Sequence, residues 1–516
     1  MRAKLAKEEW NYMEQQHFDI IVLGGGPAGY CAAITAAQFG KEKGLTVALA
    51  EERQLGGTCL NRGCIPAKTF LEAAHTIEQF REAAQLGIEI NGLGIAGTPA
   101  VNPSINLPKL FQYKNRIVKR FCAGVGVLLR ENKIPVFTGR AVVGEKKDGQ
   151  FIVKVSGKDN ETKIITAKKV ILATGSVPAT LSFPQNENTA GKICPNKIWN
   201  SDTVYDTESP LKEIPATLAI LGGGVIGIET ARIFRSFGSD VVIIEAAERI
   251  IPVFDAEIAD AVRNSLTEKK IKIITGQKLT EIKSDSPKAD LTLCLENGET
   301  ISASALLVAV GRVPNTAALS PELLAELNIN RGIEVNDAME TNIAGLYAAG
   351  DVNGKYQLAH AAMEMGKIAA QNAVSALLTG KNAANFRSII PSCIYGEPEA
   401  GSIGLTEEQA KEQFGSKNEN GRIRIGRFPF AANGRAATAG VRSGFVKIIS
   451  LDSKILGVHT AGPCASELIN EASLAMSAGI TSERWAETVH GHPSFGETLT
   501  EAAADCFGQC IHLPPR

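Results

Sequence analysis

Between Phe18 and Leu23 the chain runs apolar, breaks into Gly24-Gly25-Gly26-Pro27-Ala28-Gly29, and resumes as the small-residue stretch Ala32 to Ala37. A short apolar run ending on turn residues predicts a buried strand, and the small-residue stretch behind it predicts a helix. Nearly two hundred residues later the device recurs: Leu218-Ala219-Ile220-Leu221 ends on Gly222-Gly223-Gly224-Val225-Ile226-Gly227, and Glu229 to Phe234 continues as a helix. Each copy is followed by a second apolar strand that closes on an acid, Thr46 to Ala50 on Glu51 and Val241 to Ile244 on Glu245. Three further runs read as strands ending in small-residue turns: Lys169 to Gly175 with Thr174, Ala305 to Val310 before Gly311, and Gly345 to Asp351. From about Arg387 the pattern changes to strands such as Ser443 to Ile449 and Ile455 to His459, with an amphipathic helix over Glu467 to Met476. This predicts a separate α+β domain.

The repeated glycine turn has a chemical reading. Glycines at Gly24, Gly26 and Gly29, and again at Gly222, Gly224 and Gly227, let backbone approach a pyrophosphate at a helix N-terminus, where N–H donors and the helix dipole favour negative charge. One such triplet is weak evidence, but two in strand-turn-helix context are strong. Glu51 and Glu245 stand near the roughly twenty-residue offset of a ribose-binding carboxylate. An acid at that place accepts from both ribose hydroxyls and repels a 2′-phosphate, so Glu245 favours NAD over NADP.

The segment Gly56-Gly57-Thr58-Cys59-Leu60-Asn61-Arg62-Gly63-Cys64-Ile65-Pro66-Ala67-Lys68 sets two cysteines five positions apart, directly after the strand that ends on Glu51. In a regular helix their Cα atoms would be roughly 8.6 Å apart, beyond disulfide reach. The backbone is therefore expected to tighten or unwind between them, with Gly63 and Pro66 fitting a distorted turn into a helix. A bridge held in such a turn is easily reduced, which reads as a redox pair.

The bulk numbers narrow the partners. A length of 516 residues suggests about three or four domains. A formal net charge of -1 and a pI near 6.7 leave no electrostatic footprint for nucleic acid or an anionic membrane. The ten cysteines are mostly scattered singly, which fits a reducing compartment in which a close pair is catalytic. Met1 to His17 has no signal-like apolar run and no segment approaches the ~20 apolar residues of a membrane span. A soluble, cytoplasmic protein is expected.

Two of the seven histidines fall in His490-Gly491-His492-Pro493-Ser494-Phe495-Gly496-Glu497. His492 is a candidate general base, with Glu497 able to hold its second ring nitrogen; the role of His490 stays open. On these residues the chain resembles the pyridine nucleotide-disulfide oxidoreductases, most closely their dihydrolipoamide-oxidising members, over about Phe18 to Leu513. The resemblance rests on Gly-Gly-Thr-Cys, four residues, Cys-Ile-Pro at Cys59 and Cys64, on His492-Pro493 with Glu497, and on Phe428 to Asn433 and Gly457-Val458-His459. It implies an α/β fold of two Rossmann-like dinucleotide-binding domains, for FAD and NAD, plus a C-terminal α+β dimerisation domain. The segments read as an extension (1–17), the FAD domain's first part (18–165), the NAD domain (166–295), a central return to the FAD domain (296–386) and the dimerisation domain (387–516).

The resemblance implies site roles as well. FAD falls to Gly24, Gly26, Gly29 and Glu51, with Gly57, Thr58, Thr174, Gly175, Gly311 and Asp351 as further cofactor contacts. NAD falls to Gly222, Gly224, Gly227 and Glu245. Lys68 lies near the reactive edge of the flavin with Glu229 as its ion-pair partner. Cys59 meets substrate and Cys64 meets flavin, while His492 and Glu497 come from the other subunit of a homodimer. The implied enzyme oxidises dihydrolipoyl groups and reduces NAD, serving 2-oxo acid dehydrogenase or glycine cleavage complexes through lipoyl domains.

Ala67 and Gly496 stand where serine is common, neither moving a proton. The stretch 82–114 is longer than usual, and Cys506 and Cys510 read as chance cysteines rather than a second dithiol. The competing readings are another FAD disulfide reductase acting on glutathione-like or metal substrates, and a non-catalytic flavoprotein or metal-binding module. Against the last, Cys59, Cys64 and His492 lack a fourth ligand at usual spacing.

Overall fold

The structure, a computed structural model, describes residues 16–88, 103–157, 161–181, 194–387, 389–415, 417–418 and 421–514. A seven-stranded sheet carries the first glycine turn. Its parallel part runs Val136–Thr138, Val47–Glu51, Gln16–Leu23, Thr162–Leu172 and Leu346–Ala348, with Leu23 opposite both Ala50 and Leu172. Ile20, Ile21 and Val22 are fully buried, as a strand covered on both faces requires. The helix Pro27–Gly40 that leaves the turn lies against Ala359–Thr379 at very close range: a Cβ at Gly366 would stand 2.3 Å from the Ala28 carbonyl oxygen. That crossing of small residues is what the alanine-rich composition of both helices permits.

The second turn sits on a five-stranded parallel sheet, ordered Lys272–Ile274, Asp240–Ile244, Thr217–Leu221, Ala305–Val308 and Ile198–Asn200. The third domain is a six-stranded antiparallel sheet with the helix Ala465–Ser477 packed on it.

These sheets move the expected boundaries. Thr162–Leu172 is one continuous strand of the first sheet, so a border at 166 cuts through an element. Beside Gln16–Leu23 on one edge, its other edge pairs antiparallel with Gln150–Ser156 along the first half and parallel with Leu346–Ala348 along the second, which gives it three partners and its length. Ala305–Val308 belongs to the second sheet, beside the strand of the second glycine turn, rather than to the returning part of the first domain. Of the expected extension, residues 1–15 lie outside the described residues, while Gln16 and His17 already pair in the first strand. Of the long stretch 82–114, residues 89–102 lie outside the described residues, and Leu107–Glu131 is a helix capped by the Asn106 side chain.

Buried charges tie the domains together. Lys447 of the third domain is 1 % exposed and reaches Asp255 and Glu257 of the second at 2.9 Å, with Glu407 at 2.6 Å. Glu78, on the helix that begins at Cys64, pairs with Arg232 and Lys269 of the second domain at 3.0 and 3.1 Å. Removing one member of such a network leaves a buried charge unpaired, at a cost of ~3–5 kcal/mol. The relative placement of the domains, and so the width of the cleft between them, is set by these contacts as much as by apolar packing.

Candidate active site

The cysteines lie where one helix ends and the next begins. Gly57–Asn61 stops after a turn and a half, Arg62 (φ -147) and Gly63 (φ -118, ψ -112) leave helical geometry, and Cys64–Glu82 starts afresh. This is the interruption the five-residue spacing demands. The two sulfurs lie within hydrogen-bond reach of each other. That hydrogen bond, with the nearby Lys68 ammonium and against the cost of burial, pulls the Cys64 thiol below its usual range. The same hydrogen bond, together with burial, pushes the Cys59 thiol upward. The two shifts run in opposite directions, so the surroundings favour thiolate on Cys64 over Cys59.

Lys68 lies one turn beyond Cys64 and donates to both oxygens of Glu229, at 2.8 and 2.7 Å. Glu229 belongs to the helix Val225–Phe237 that leaves the second glycine turn, so this ion pair joins the two nucleotide units beside the redox pair. One residue with no signal in the sequence completes it. The Tyr395 ring lies 4.4 Å from Lys68 Nζ, and the Tyr395 N–H donates to Glu229 at 3.1 Å. A second, Arg312, follows Gly311 and binds Ser176 and Asp202 at 2.8 Å, while the Ser176 hydroxyl donates to Asp351 at 2.6 Å. Burial raises the Asp351 carboxyl, with Ser176 and Arg312 opposing. The Gly311-Arg312 turn was visible in the sequence, but its long-range partners were not.

A single cavity of about 2030 Å³ runs between the two units. That is twice the upper end of an ordinary single-ligand site, ~1,000 Å³, and suits two dinucleotides. Gly24, Gly26, Glu51, Gly57, Thr58, Cys59, Cys64, Lys68, Thr174, Gly175, Gly222, Gly224, Glu229, Glu245, Gly311 and Asp351 all line it. Gly29 and Gly227 do not. A Cβ there would stand 1.8 and 2.0 Å from the carbonyl oxygens of Gly24 and Gly222, so these two glycines serve the closure of each turn.

The cradle fits dinucleotides. Gly175, Gly224 and Gly311 have no atom within 4 Å of where a Cβ would be, leaving bare backbone facing open space. Glu51 accepts from the N–H groups of Gly25 and Arg53, and Glu245 from those of Gly223 and Ala247. Each carboxylate keeps about two of its roughly four acceptor positions for other donors.

His492 and Glu497 pair with each other, Nδ1 to Oε1 at 2.8 Å, and Glu497 also accepts from the Ser494 N–H at 2.7 Å. Against the cost of burial, those two donors hold the Glu497 carboxyl below its usual range. Neither residue lines the cavity that holds Cys59 and Cys64. The His492 side chain is instead 77 % exposed, on the third domain. Within one chain the base and the thiols are not brought together. Cys506 is buried in the third domain's core and Cys510 donates to Glu501 at 2.8 Å. Among the described residues no group of three or more His, Cys, Asp or Glu side chains could hold a metal, and no helix is long and apolar enough to cross a membrane.

Comparison with known proteins agrees with this geometry. Residues 18–366 match the pyridine nucleotide-disulphide oxidoreductase family, and residues 390–503 match the dimerisation domain of the same family. The chain is 37% identical to a dihydrolipoyl dehydrogenase of Bacillus subtilis, over 96% of this chain and 99% of that one. It is 36% identical to a dihydrolipoyl dehydrogenase of Chlamydia muridarum, over 96% and 98%. Among solved structures, LpdA from Mycobacterium tuberculosis superposes with a TM-score of 0.80 at 25% identity, covering 95% of this chain and 99% of that one. The HOCl-induced flavoprotein disulfide reductase RclA from Escherichia coli gives 0.76 at 27%, covering 94% and 99%.

Proposed function

The chain belongs to the pyridine nucleotide-disulphide oxidoreductases, and on that footing we propose that it is an FAD-dependent dihydrolipoyl dehydrogenase acting as a homodimer. The observation that carries the reading is the Cys59–Cys64 pair in the wall of a cavity shared by two glycine turns, with Lys68 bound to Glu229 across it. FAD occupies the turn at Gly24, Gly26 and Gly29 with Glu51 and Asp351, and NAD the turn at Gly222, Gly224 and Gly227 with Glu245.

In the oxidised protein Cys59 and Cys64 form the disulfide. A substrate thiol loses its proton to His492 and attacks the Cys59 sulfur, because thiolate is the nucleophile and a free thiol is mostly protonated near neutrality. The Cys59–Cys64 bond breaks and Cys64 leaves as thiolate, the form its surroundings favour. The second substrate thiol then attacks the substrate sulfur bonded to Cys59, which releases lipoyl disulfide and a Cys59 thiol. Glu497 holds His492 in position through both steps, as the third member of a catalytic triad does. FAD, when bound, supplies the two-electron relay from this dithiol to NAD. His492 and Glu497 act in the site of the neighbouring subunit, which the exposure of His492 and the absence of both residues from the cavity lining support.

The physiological substrate is a lipoyl group on the mobile domain of a 2-oxo acid dehydrogenase or glycine cleavage complex. The site of action is the cytoplasm, in keeping with single, unpaired cysteines in a reducing compartment. Glu245 favours NAD and separates this reading from NADPH-driven disulfide reductases. The test is direct. The purified protein carries flavin and reduces NAD with dihydrolipoamide in preference to NADP, while Cys64→Ser keeps its flavin and loses turnover by ~10³-fold or more. Normal turnover in that variant overturns the mechanism.

A further inference from the structure

The exposed base poses a problem of positioning. His492 is 77 % exposed, and its ring makes one side-chain hydrogen bond, to Glu497. The residue before it, Gly491, has no atom within 4 Å of a notional Cβ. Glycine has the largest backbone freedom of any residue, so the loop needs a fixed point close by.

His490 supplies one. Its side chain is 13 % exposed and both ring nitrogens are engaged. Nε2 lies 2.8 Å from Glu471 on the helix Ala465–Ser477, so it is the nitrogen that carries hydrogen toward the carboxylate. Nδ1 lies 2.8 Å from the Thr500 hydroxyl on the helix Glu497–Asp505, and 3.1 Å from the Thr488 carbonyl. Glu471 is itself held by the Trp485 indole N–H at 2.9 Å. The ring therefore stitches the loop to both helices that flank it, one of which begins with Glu497.

Gly496 shows how tightly the ring is seated. Its backbone is ordinary right-handed helix (φ -59, ψ -29), so nothing in its conformation calls for glycine. A Cβ there would instead stand 2.9 Å from His490 Cδ2. The missing side chain is the room the imidazole occupies, directly before the residue that holds the base.

We infer that His490 is a positioning residue that, with Gly496, fixes the loop on which His492 reaches the partner's thiols. The inference rests on the proposed dihydrolipoyl dehydrogenase reading. A displacement of ~1 Å at a reacting group can cost ~10²-fold in rate, so His490→Ala lowers kcat for dihydrolipoamide oxidation ~10- to 100-fold. KM for dihydrolipoamide stays within about twofold, because His490 touches no substrate, and so does NADH-driven dye reduction, which bypasses the base. Gly496→Ala alone lowers kcat by displacing the ring. In the His490→Ala background the same change costs less than about twofold, since no ring remains to be struck.

The inference is overturned if His490→Ala keeps kcat within about twofold, if the two losses multiply in the double variant, or if dye reduction falls in parallel. Should His490→Ala not assemble, Thr500→Val, which removes the hydroxyl at Nδ1 at nearly constant volume, is read by the same kcat and dye-reduction criteria. Wild-type protein that fails to oxidise dihydrolipoamide overturns the functional reading itself. Wild-type activity with an unaffected His490→Ala overturns the positioning role alone.

Discussion

The two glycine turns are nearly the same object in different surroundings. Gly24 (φ +105) and Gly222 (φ +111) each bring a carbonyl close, Ala173 and Ala309, at 2.2 and 2.4 Å from a notional Cβ. Glu51 and Glu245 grip backbone N–H groups in the same pattern. They part at the middle glycine. A Cβ at Gly26 would face the Gly57 Cα at 3.6 Å, because the segment leading to Cys59 folds over the first turn in the left-handed region (Gly57 φ +57). At Gly224 the same direction is open. The turn chemistry is alike at both places, whereas the redox segment lies as a lid over only one of the two turns.

Matched substitutions break the comparison most strongly. Gly26→Val drives methyl groups against Gly57 and should yield protein that purifies without flavin, read from its visible spectrum. Gly224→Val should stay flavin-loaded and raise the KM for NAD by about tenfold or more, ~1.4 kcal/mol of binding. Equal flavin loss in both variants would show that the lid does not distinguish the sites. A smaller effect is expected at the ribose acid of the open site. Glu245→Gln removes charge-assisted hydrogen bonds worth ~1.5–3 kcal/mol, so kcat/KM for NAD falls ~10- to 100-fold while that for NADP rises, and flavin content is unchanged.

The smallest effect tests the bridge between the two units. Cys64 is held down by its hydrogen bond from Cys59 and by Lys68, while burial and Glu229 push it up. Thiolate therefore accumulates as pH rises through a midpoint below that of an ordinary thiol. Glu229→Gln removes the opposing charge and moves that midpoint to lower pH, by less than ~1, or ~1.4 kcal/mol. Ultraviolet thiolate absorbance of the reduced, flavin-free protein reads it, with Cys64→Ser as blank. A midpoint that moves upward would mean that Glu229 acts mainly by holding Lys68 in place.

Much of this was legible along the chain because it is local. A strand, a glycine turn, a helix and an acid about twenty residues on are short-range features, and the interruption between Cys59 and Cys64 follows from helix geometry alone. The domain borders were less legible. Thr162–Leu172 is broken by Thr166, Lys168 and Lys169 yet is one strand serving three neighbours, and only strand pairing shows that it ends inside the first sheet. Ala305–Val308 reads the same in either sheet, since a buried parallel strand looks alike wherever it is placed.

The sequence by itself determined the local features that carry the chemistry: a cysteine pair at Cys59 and Cys64, two glycine turns, an acid about twenty residues beyond each, and an imidazole beside a carboxylate. These depend on residue type and short spacing, which physics reads within a few turns of backbone. Tertiary structure alone decided which turn is lidded, that Lys68 meets Glu229 and Tyr395, that Arg312 links Ser176 to Asp202, and that His492 faces away from its own thiols. Those pairings join residues a hundred or more positions apart in most cases. They are fixed by how whole sheets and helices pack, a property no local pattern carries.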